Sequence, residues 1–283
     1  MDLSTSSAQD FIARVWQAGE LYERRGLPWR FVDDPFAVYV SEVMLQQTQV
    51  ARVMKHWGAF MARYPSVDAL AAADTASVLQ SWQGLGYNRR ALALQRAAQE
   101  CSASHAGRLP EDYDELLRLP GVGPATAAGI MAFAYNRPSV YLETNVRAVF
   151  ISEFFSDSAE QVSDREIRPL VLATCSQERP REWYYALLDW GAHMKQNQPN
   201  PTRKSSQYVR QSAFEGSRRQ KRAFLLKIVL TDGPLDLAQA KAALDDAEMR
   251  AGRPVVSSQT VESIVGDLVA EGFFTRAGDM LVP

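Results

Sequence analysis

The sequence predicts an all-α domain over residues 1–195, a polar linker at 196–217 and a small winged-helix-like module at 218–283. Three observations carry that expectation. Before position 195 the apolar residues recur at helical spacing. Glycine and proline punctuate the periodic stretches, as they do where helices are joined by tight turns. No strand pattern of weight occurs in that span, whereas the tail ends on a hairpin pattern after three helical segments.

Taken in chain order, "VYVSEVMLQQTQVARVMKHWGAFMARY" sets Val40, Val43, Met44, Val50, Ala51 and Met54 at helical spacing. "SVDALAAADTASVLQSWQGLGY" gives two short helices that stop at Gly84 and Gly86, and "NRRALALQRAAQECSASH" gives another. "PEDYDELLRL" follows with acids in its first turn, where the helix dipole favours them. Pro124 opens the next helix at a position that suits proline, and "PREWYYALLDWGAHM" is a further amphipathic helix. "QNQPNPTRKSSQYVRQSAFEGS" is polar and proline-bearing, hence linker. Beyond it, "RRQKRAFLLKIVLT", "DLAQAKAALDDA" and "SSQTVESIVGDLVAEG" are helices, the last with a serine cap and Gly272 at its end. "FFTRAGDMLVP" is a hairpin turning at Ala277-Gly278, and three helices with a hairpin suggest the winged-helix-like module.

A chain of 283 residues suffices for one large domain and one small one. No run of about 18 apolar residues occurs, so no membrane span is expected. "MDLSTSSAQDFIARVW" lacks a basic start and an apolar h-region, so it does not read as a secretory signal. Cys101 and Cys175 lie far apart in helical stretches and read as buried, reduced thiols of a cytoplasmic protein. The net charge of −2 does not by itself argue for a polyanionic partner. Its distribution says more: from Lys195 to Lys227 nine basic residues face one acid, Glu215, while from Ile228 onward nine acids face four bases. Such a segment is either the electrostatic footprint of a nucleic acid or a solvated linker.

Two features could carry chemistry. Leu119-Pro120-Gly121-Val122-Gly123 lies between two helices, and the second helix starts at Pro124. Its glycines permit a tight turn and close approach, and the free N–H groups of the helix start could grip a phosphate. A plain helix–helix connection would look the same. The second feature is a pair of carboxylates. Glu42 sits among apolar and amide side chains, with Gln46 and Gln49 one and two turns on along the same helix face. It is either solvated or set in a cleft with a raised pKa, where an acid flanked by amides could read a nucleobase edge. Glu143 precedes "TNVRAVFISEFF", with Asn145 two residues on, and could simply cap that helix.

"LPWR" (27–30), "SEVMLQQTQV" (41–50), "GLGYNRRALAL" (84–94), "LPGVGPATAAGI" (119–130) and "LETNVRAVF" (142–150) follow one another in an order that closely resembles the helix–hairpin–helix DNA glycosylases. Within them, "SEVMLQQTQV" is similar to the A/G-specific adenine glycosylases of the MutY type. The tail resembles that of actinobacterial members. The resemblance implies a two-lobed helical fold. It also implies a monofunctional base-excision repair enzyme that flips and hydrolytically removes adenine opposite 8-oxoguanine or guanine. Glu42 matches the acid that protonates the adenine and later handles the attacking water, and Asn145 matches an active-site amide. Gln47 and Tyr87 match residues that wedge beside the opposite guanine, and Thr48 and Leu85 match contacts to it. Gly121, Val122 and Gly123 match the hairpin that holds the DNA backbone. Arg203, Lys204, Arg218 and Arg219 are candidate phosphate contacts.

The chain departs from the family in three places. Glu143 stands where the family has aspartate, which moves the carboxylate by roughly a bond length. Ala125 stands where bifunctional relatives carry a lysine, so no Schiff base forms at that position. The four cysteines of the usual iron–sulfur loop fall on Lys195, Thr202, Ser205 and Gln211, none of which ligates iron as a thiolate does. The expectation is therefore a clusterless enzyme with no metal and no cofactor, a cytoplasmic, nucleoid-associated monomer acting on double-stranded DNA that carries a mismatch or lesion. Glu143 also admits two alternatives: a glycosylase for another base or mispair, or a lesion-binding protein with weak or lost catalysis.

Overall fold

A computed structural model describes residues 5–282. The opening four residues of the N-terminal reading and the final Pro283 of the hairpin reading lie outside them. The order of helices is α1 (Thr5–Tyr22), α2 (Pro35–Leu45), α3 (Val50–Arg63), α4 (Val67–Ala71), α5 (Thr75–Ser81), α6 (Arg89–Ser104), α7 (Tyr113–Arg118) and α8 (Pro124–Phe133). They continue with α9 (Thr144–Phe154), α10 (Asp164–Thr174), α11 (Pro180–Asn197), α12 (Arg218–Asp232), α13 (Leu237–Arg250) and α14 (Ser258–Ala270). Among the described residues no helix is long and apolar enough to cross a membrane.

Two hydrophobic cores divide the helices into two lobes. Trp29, Met44, Trp57, Phe60, Leu70, Trp82 and Leu94 fill the first, drawn from α2 to α6 and the turn before them. Phe11, Val15, Phe150, Leu170, Trp183 and Leu187, from α1, α9, α10 and α11, fill the second. Helix α8 joins the two cores. Every residue from Thr126 to Phe133 is buried, with Ala127, Ile130 and Met131 facing the first core and Ala128, Ala132 and Phe133 the second. A helix apolar on all sides is one packed on all sides.

The reading of residues 38–64 as one helical run needs correction. The chain leaves the helix at Gln46 and re-enters at Val50, so Gln49 caps α3 and does not share a face with Glu42. The apolar spacing continues through the break because both helices face one core, and periodicity alone cannot reveal a four-residue turn.

The C-terminal module has three helices and a three-stranded antiparallel sheet of order β1 (Leu235–Asp236), β3 (Met280–Val282), β2 (Thr275–Ala277). Ala277 pairs with Met280, so the hairpin turns at Gly278-Asp279, one residue later than expected, with Gly278 at φ +63°. The module has no separate interior: Leu225, Val229, Ile264 and Phe274 join the core of the first lobe. The linker is also partly folded. Thr202 and Ser205 are buried, Val162 N–H donates to the Lys204 carbonyl and Ser206 N–H to the Val162 carbonyl. Cys101 is buried as expected and free, whereas Cys175 is only half-buried.

Candidate active site between the two lobes

Glu42 sits in the third turn of α2, against α8. The contact is possible because residue 129 is glycine: a Cβ there would fall 2.4 Å from Glu42 Oε2. One turn further along α2, Gln46 donates from Nε2 to the buried hydroxyl of Thr126 at 3.0 Å, so the pairs Glu42–Gly129 and Gln46–Thr126 fix α2 antiparallel to α8. Tyr141, itself buried, donates its hydroxyl to Glu42 Oε2 at 3.2 Å. Burial pushes Glu42 up to about 8, the Tyr141 hydrogen bond opposes the shift, and the negative charge of Glu143 adds to it. The carboxyl therefore holds its proton at neutral pH.

Glu143 is placed by different physics. It is the N-cap of α9, and its Oε1 accepts from the backbone N–H of Asn145 at 2.6 Å and of Val146 at 3.2 Å. That is the capping role the sequence left open, and among the described residues it leaves Oε2 without a hydrogen-bond partner. The structure brings Glu42, Glu143 and Asn145 to one place, since the charge of Glu143 acts on both Glu42 and Tyr141. Asn145 Oδ1 is buried and makes no hydrogen bond among the described residues. Helix α11 crosses α9 here at Gly191, where a Cβ would fall 2.2 Å from the Asn145 carbonyl oxygen. One turn on, Lys195 comes within electrostatic reach of Glu143. Burial lowers its amine below the ordinary lysine range, and Glu143 opposes that shift.

The sequence did not flag the wall opposite Glu42. Tyr185 stacks on Phe133 at 4.8 Å, and the Arg30 guanidinium lies 4.3 Å above its ring. Arg30 is held bidentate by Asp189 at 2.8 and 2.7 Å, and the same carboxylate takes Arg24 N–H at 3.0 Å and Arg24 Nε at 2.5 Å. Burial alone would raise Asp189, but the hydrogen bonds and charges of Arg30 and Arg24 outweigh it and hold the carboxylate below its ordinary range. "LPWR" and the aspartate of "LLDWG" contain these residues, but their meeting across 159 positions is tertiary information.

The turns flanking this cleft carry the wedge candidates. Gln47 and Tyr87, neither a glycine, have φ of +51° and +48°, and both are exposed. Such conformations cost of order 1–3 kcal/mol and persist only where the surroundings enforce them. Arg90 does the enforcing. Its guanidinium donates to the carbonyls of Val43, Met44 and Gln46 on one turn, to those of Leu85 and Gly86 on the other, and to the Thr48 hydroxyl between them. The sequence reading passed over Arg90 inside "GLGYNRRALAL"; an arginine just after a glycine turn was the only signal. Leu85 needs correction as a base contact through its side chain, which is 2% exposed and lies in the core. Only its carbonyl faces the turn, shared by Thr48 Oγ1 and Arg90.

The hairpin follows α7. Gly121 has φ +76°, and a Cβ on it would fall 2.5 Å from that of Ala93. Val122 is buried and anchors the turn. Gly123 precedes α8 without a side-chain cap, and nothing lies within 4 Å of where its Cβ would stand. The start of α8 therefore has open space at Gly123 and no side-chain cap, and the positive end of a helix favours an anion.

The basic segment divides. Arg218 pairs with Asp267 at 2.6 Å, and Arg222 with Asp267 and Glu271; Lys221 reaches Glu248. Arg218 thus has a carboxylate partner in an exposed ion pair, so a phosphate would have to compete with Asp267 for it. Lys204 donates to the carbonyls of Ser156 and Ser158. Arg203 and Arg210 are exposed and make no ion pair among the described residues. Arg219 donates to the Tyr87 hydroxyl at 3.2 Å. In the segment where the resemblance implies an iron–sulfur loop, Thr202 Oγ1 donates to Asn200 Oδ1 at 2.7 Å in a tight turn. Lysine, threonine, serine and glutamine side chains do not fit such a cluster.

Residues 40–170 match the family described as HhH-GPD superfamily base excision DNA repair protein. An adenine DNA glycosylase of Mycobacterium tuberculosis (strain ATCC 25618 / H37Rv) is 37% identical over 176 residues, which covers 60% of this chain and 58% of that protein. That of Buchnera aphidicola subsp. Baizongia pistaciae is 33% identical over 175 residues, covering 60% and 49%. The human adenine DNA glycosylase is 33% identical over 181 residues, covering 60% and 33%. The match thus spans about half the length of the bacterial relatives and a third of the human one. Among solved structures, a thermostable thymine-DNA glycosylase superposes with a TM-score of 0.64 at 22% identity, covering 72% of this chain and 95% of that one. Endonuclease III in a non-covalent DNA complex gives 0.55 at 19% identity, covering 66% and 85%. The fold is therefore that of the helix–hairpin–helix glycosylases.

Proposed function

We propose, for a chain that carries an HhH-GPD domain of base excision DNA repair proteins over residues 40–170, that it is a monofunctional adenine DNA glycosylase acting on adenine opposite 8-oxoguanine or guanine in duplex DNA. The observation that carries this reading is the proton-holding Glu42, wedged over Gly129, hydrogen-bonded by Tyr141 and within electrostatic reach of a second, differently placed carboxylate, Glu143. The names of the relatives agree with it.

The chemistry follows from those surroundings. A base inside a duplex is unreachable, so the nucleotide is extruded at a cost of a few kcal/mol. Gln47 fills the gap it leaves, and the N–H groups at the start of α8 hold a backbone phosphate of the strand pulled out of line. Neutral Glu42 donates its proton to the purine as the glycosidic bond breaks and the bonding pair leaves with the base. The sugar is left with cationic character at C1′, which the free Oε2 of Glu143 faces and stabilises. A water then adds its oxygen to C1′ and passes a proton to the Glu42 carboxylate, which restores the starting state. Tyr185 and Tyr141 supply an aromatic and hydroxyl wall for the extruded purine. Ala125 offers no amine, so no Schiff base forms at that position.

A glycosylase assay on duplexes carrying adenine opposite 8-oxoguanine, guanine, cytosine and thymine, with alkali to reveal abasic sites, tests the reading. Alkali-dependent cleavage opposite 8-oxoguanine, absent in Glu42→Gln, supports it; no cleavage on any adenine duplex sinks it. The tethering of Glu143 Oε1 by two backbone N–H groups favours one second reading, a lesion-binding protein whose catalysis is attenuated. Lesion-dependent affinity without base release, together with a gain of turnover in Glu143→Asp, would select that reading.

A further inference from the structure

Two hydrogen bonds tie the C-terminal segment to the exposed wedge turns. Gln211 donates from Nε2 to Gln47 Oε1 at 2.9 Å, and Arg219 donates to the Tyr87 hydroxyl at 3.2 Å. Arg219 also donates to the Ser212 carbonyl at 2.8 Å, and its guanidinium lies 6.0 Å from the Phe214 ring, so the 211–219 segment folds onto its own arginine. This contact does not rest on a loose tail. Arg89, from the wedge side, is bidentate to Glu271 of the module at 2.6 and 2.5 Å, and Gln80 donates to the Leu230 carbonyl at 2.9 Å. Ser217 caps α12 and Gln220 accepts from Gly216 N–H, so the "FEGSRRQ" stretch serves to aim Arg219 at Tyr87.

We infer that Gln211 and Arg219 complete the reader of the base left unpaired opposite the extruded nucleotide. The inference rests on the glycosylase reading of the cleft. Once a nucleotide is flipped out, its former partner presents a free hydrogen-bonding edge beside the wedge. Gln47 alone offers that edge one amide. With Gln211 beside it the turn offers two, each able to donate and accept. Arg219, hydrogen-bonded to the Tyr87 hydroxyl and without a carboxylate partner among the described residues, adds a planar donor fork suited to a guanine-type edge with two acceptors. A side chain meant only for phosphate has no need of such aim. Its neighbours Arg218, Lys221 and Arg222 are indeed consumed by Asp267, Glu248 and Glu271, while Arg219 alone of that run is directed at the wedge. The ligand is therefore a guanine or its 8-oxo form in the unextruded strand.

The test uses binding, so that it stands apart from catalysis. Dissociation constants of the full chain are measured by fluorescence anisotropy on duplexes with a tetrahydrofuran abasic analogue opposite 8-oxoguanine, guanine or cytosine. The wild type binds the guanine-type duplexes more tightly than the cytosine duplex. In Arg219→Met that preference shrinks about 10-fold, and in Gln211→Ala about 3-fold, the loss expected for one hydrogen bond to a charged and to a neutral group. Gln211 is exposed, so its variant reports even if Arg219→Met fails to fold. A uniform weakening on all three duplexes makes Arg219 a phosphate contact and overturns the inference. An unchanged ratio, or no preference in the wild type, does the same. Excision of adenine is followed separately, and its absence counts against the proposed function and not against this reader.

Discussion

The two carboxylates at the cleft occupy opposite physical surroundings. Glu42 lies between α2 and α8, where its only polar partner among the described residues is one tyrosine hydroxyl, and burial keeps it protonated. Glu143 stands at the start of α9, where two backbone N–H groups and the positive end of a helix receive its negative charge. One acid is kept neutral by burial, and the other is tethered at a helix start by two backbone N–H groups. The contrast teaches that the division of labour lies in the surroundings, not in the residue type, because here both positions are glutamate.

The strongest way to break the comparison is to remove the proton. Glu42→Gln keeps shape and polarity but supplies no acid, and single-turnover excision should fall about 10³- to 10⁴-fold. A loss under tenfold would mean that Glu42 is only a wall. Gly129→Ala attacks the same carboxylate from behind. The new methyl would stand 2.4 Å from Glu42 Oε2 and 3.0 Å from the Tyr141 ring, so the flexible carboxylate moves aside and the helix stays packed. A displacement of about 1 Å is expected to cost about 100-fold in rate. Thermal unfolding should show a small change beside that loss; a collapse of the fold instead would leave Glu42's position unproven as the cause.

Glu143→Asp sharpens the other half. Aspartate is a better N-cap than glutamate, so α9 loses nothing, while the free oxygen retreats from C1′ by roughly a bond length. The excision rate should drop about tenfold with melting unchanged. A rise would mark Glu143 as a brake and favour the lesion-binding reading. The pH profile separates the pair without mutation. Glu42 must hold its proton, and its value stands near 8, so the rate falls tenfold per unit above about pH 8. A profile flat to pH 9 would move the general acid elsewhere.

How much of this was legible in the sequence depends on how local each cause is. The hairpin, the cap at Ser257 and the stop at Gly272 follow from nearest-neighbour backbone preferences and were read directly. The cap formed by Glu143 was among the readings left open, since capping is local too. The break at Gln46–Gln49 was hidden because both flanking helices serve one core with one periodicity. The Asp189 clamp on Arg24 and Arg30, and the fan of hydrogen bonds from Arg90, were invisible for another reason. Each joins residues dozens to more than a hundred positions apart, and an arginine in a helix looks like a solvated one until its partners arrive. In the basic segment the count of cations is legible from sequence but their availability is not, because pairing with Glu248, Asp267 and Glu271 decides which of them remain free.

The smallest predicted effects are on stability, and they have opposite signs at the two acids. The folded-state pKa of Glu42 is raised from its ordinary 4.5 to about 8, so the native protein binds a proton that the unfolded chain releases. Stability from this group is then fully present below about pH 4.5 and is lost as pH rises toward 8. Glu42→Gln removes that loss and should raise the unfolding free energy by about 1–3 kcal/mol at pH 8, the gain vanishing near pH 4.5. Glu143→Ala strips the N-cap of α9 and should cost about 1 kcal/mol, since the N–H groups of Asn145 and Val146 lose their acceptor. Urea melts of both variants at pH 5 and pH 8 measure the two quantities together. If both destabilise at pH 8, then Glu42 is not an acid held neutral against its own preference, and the asymmetry of the cleft does not exist.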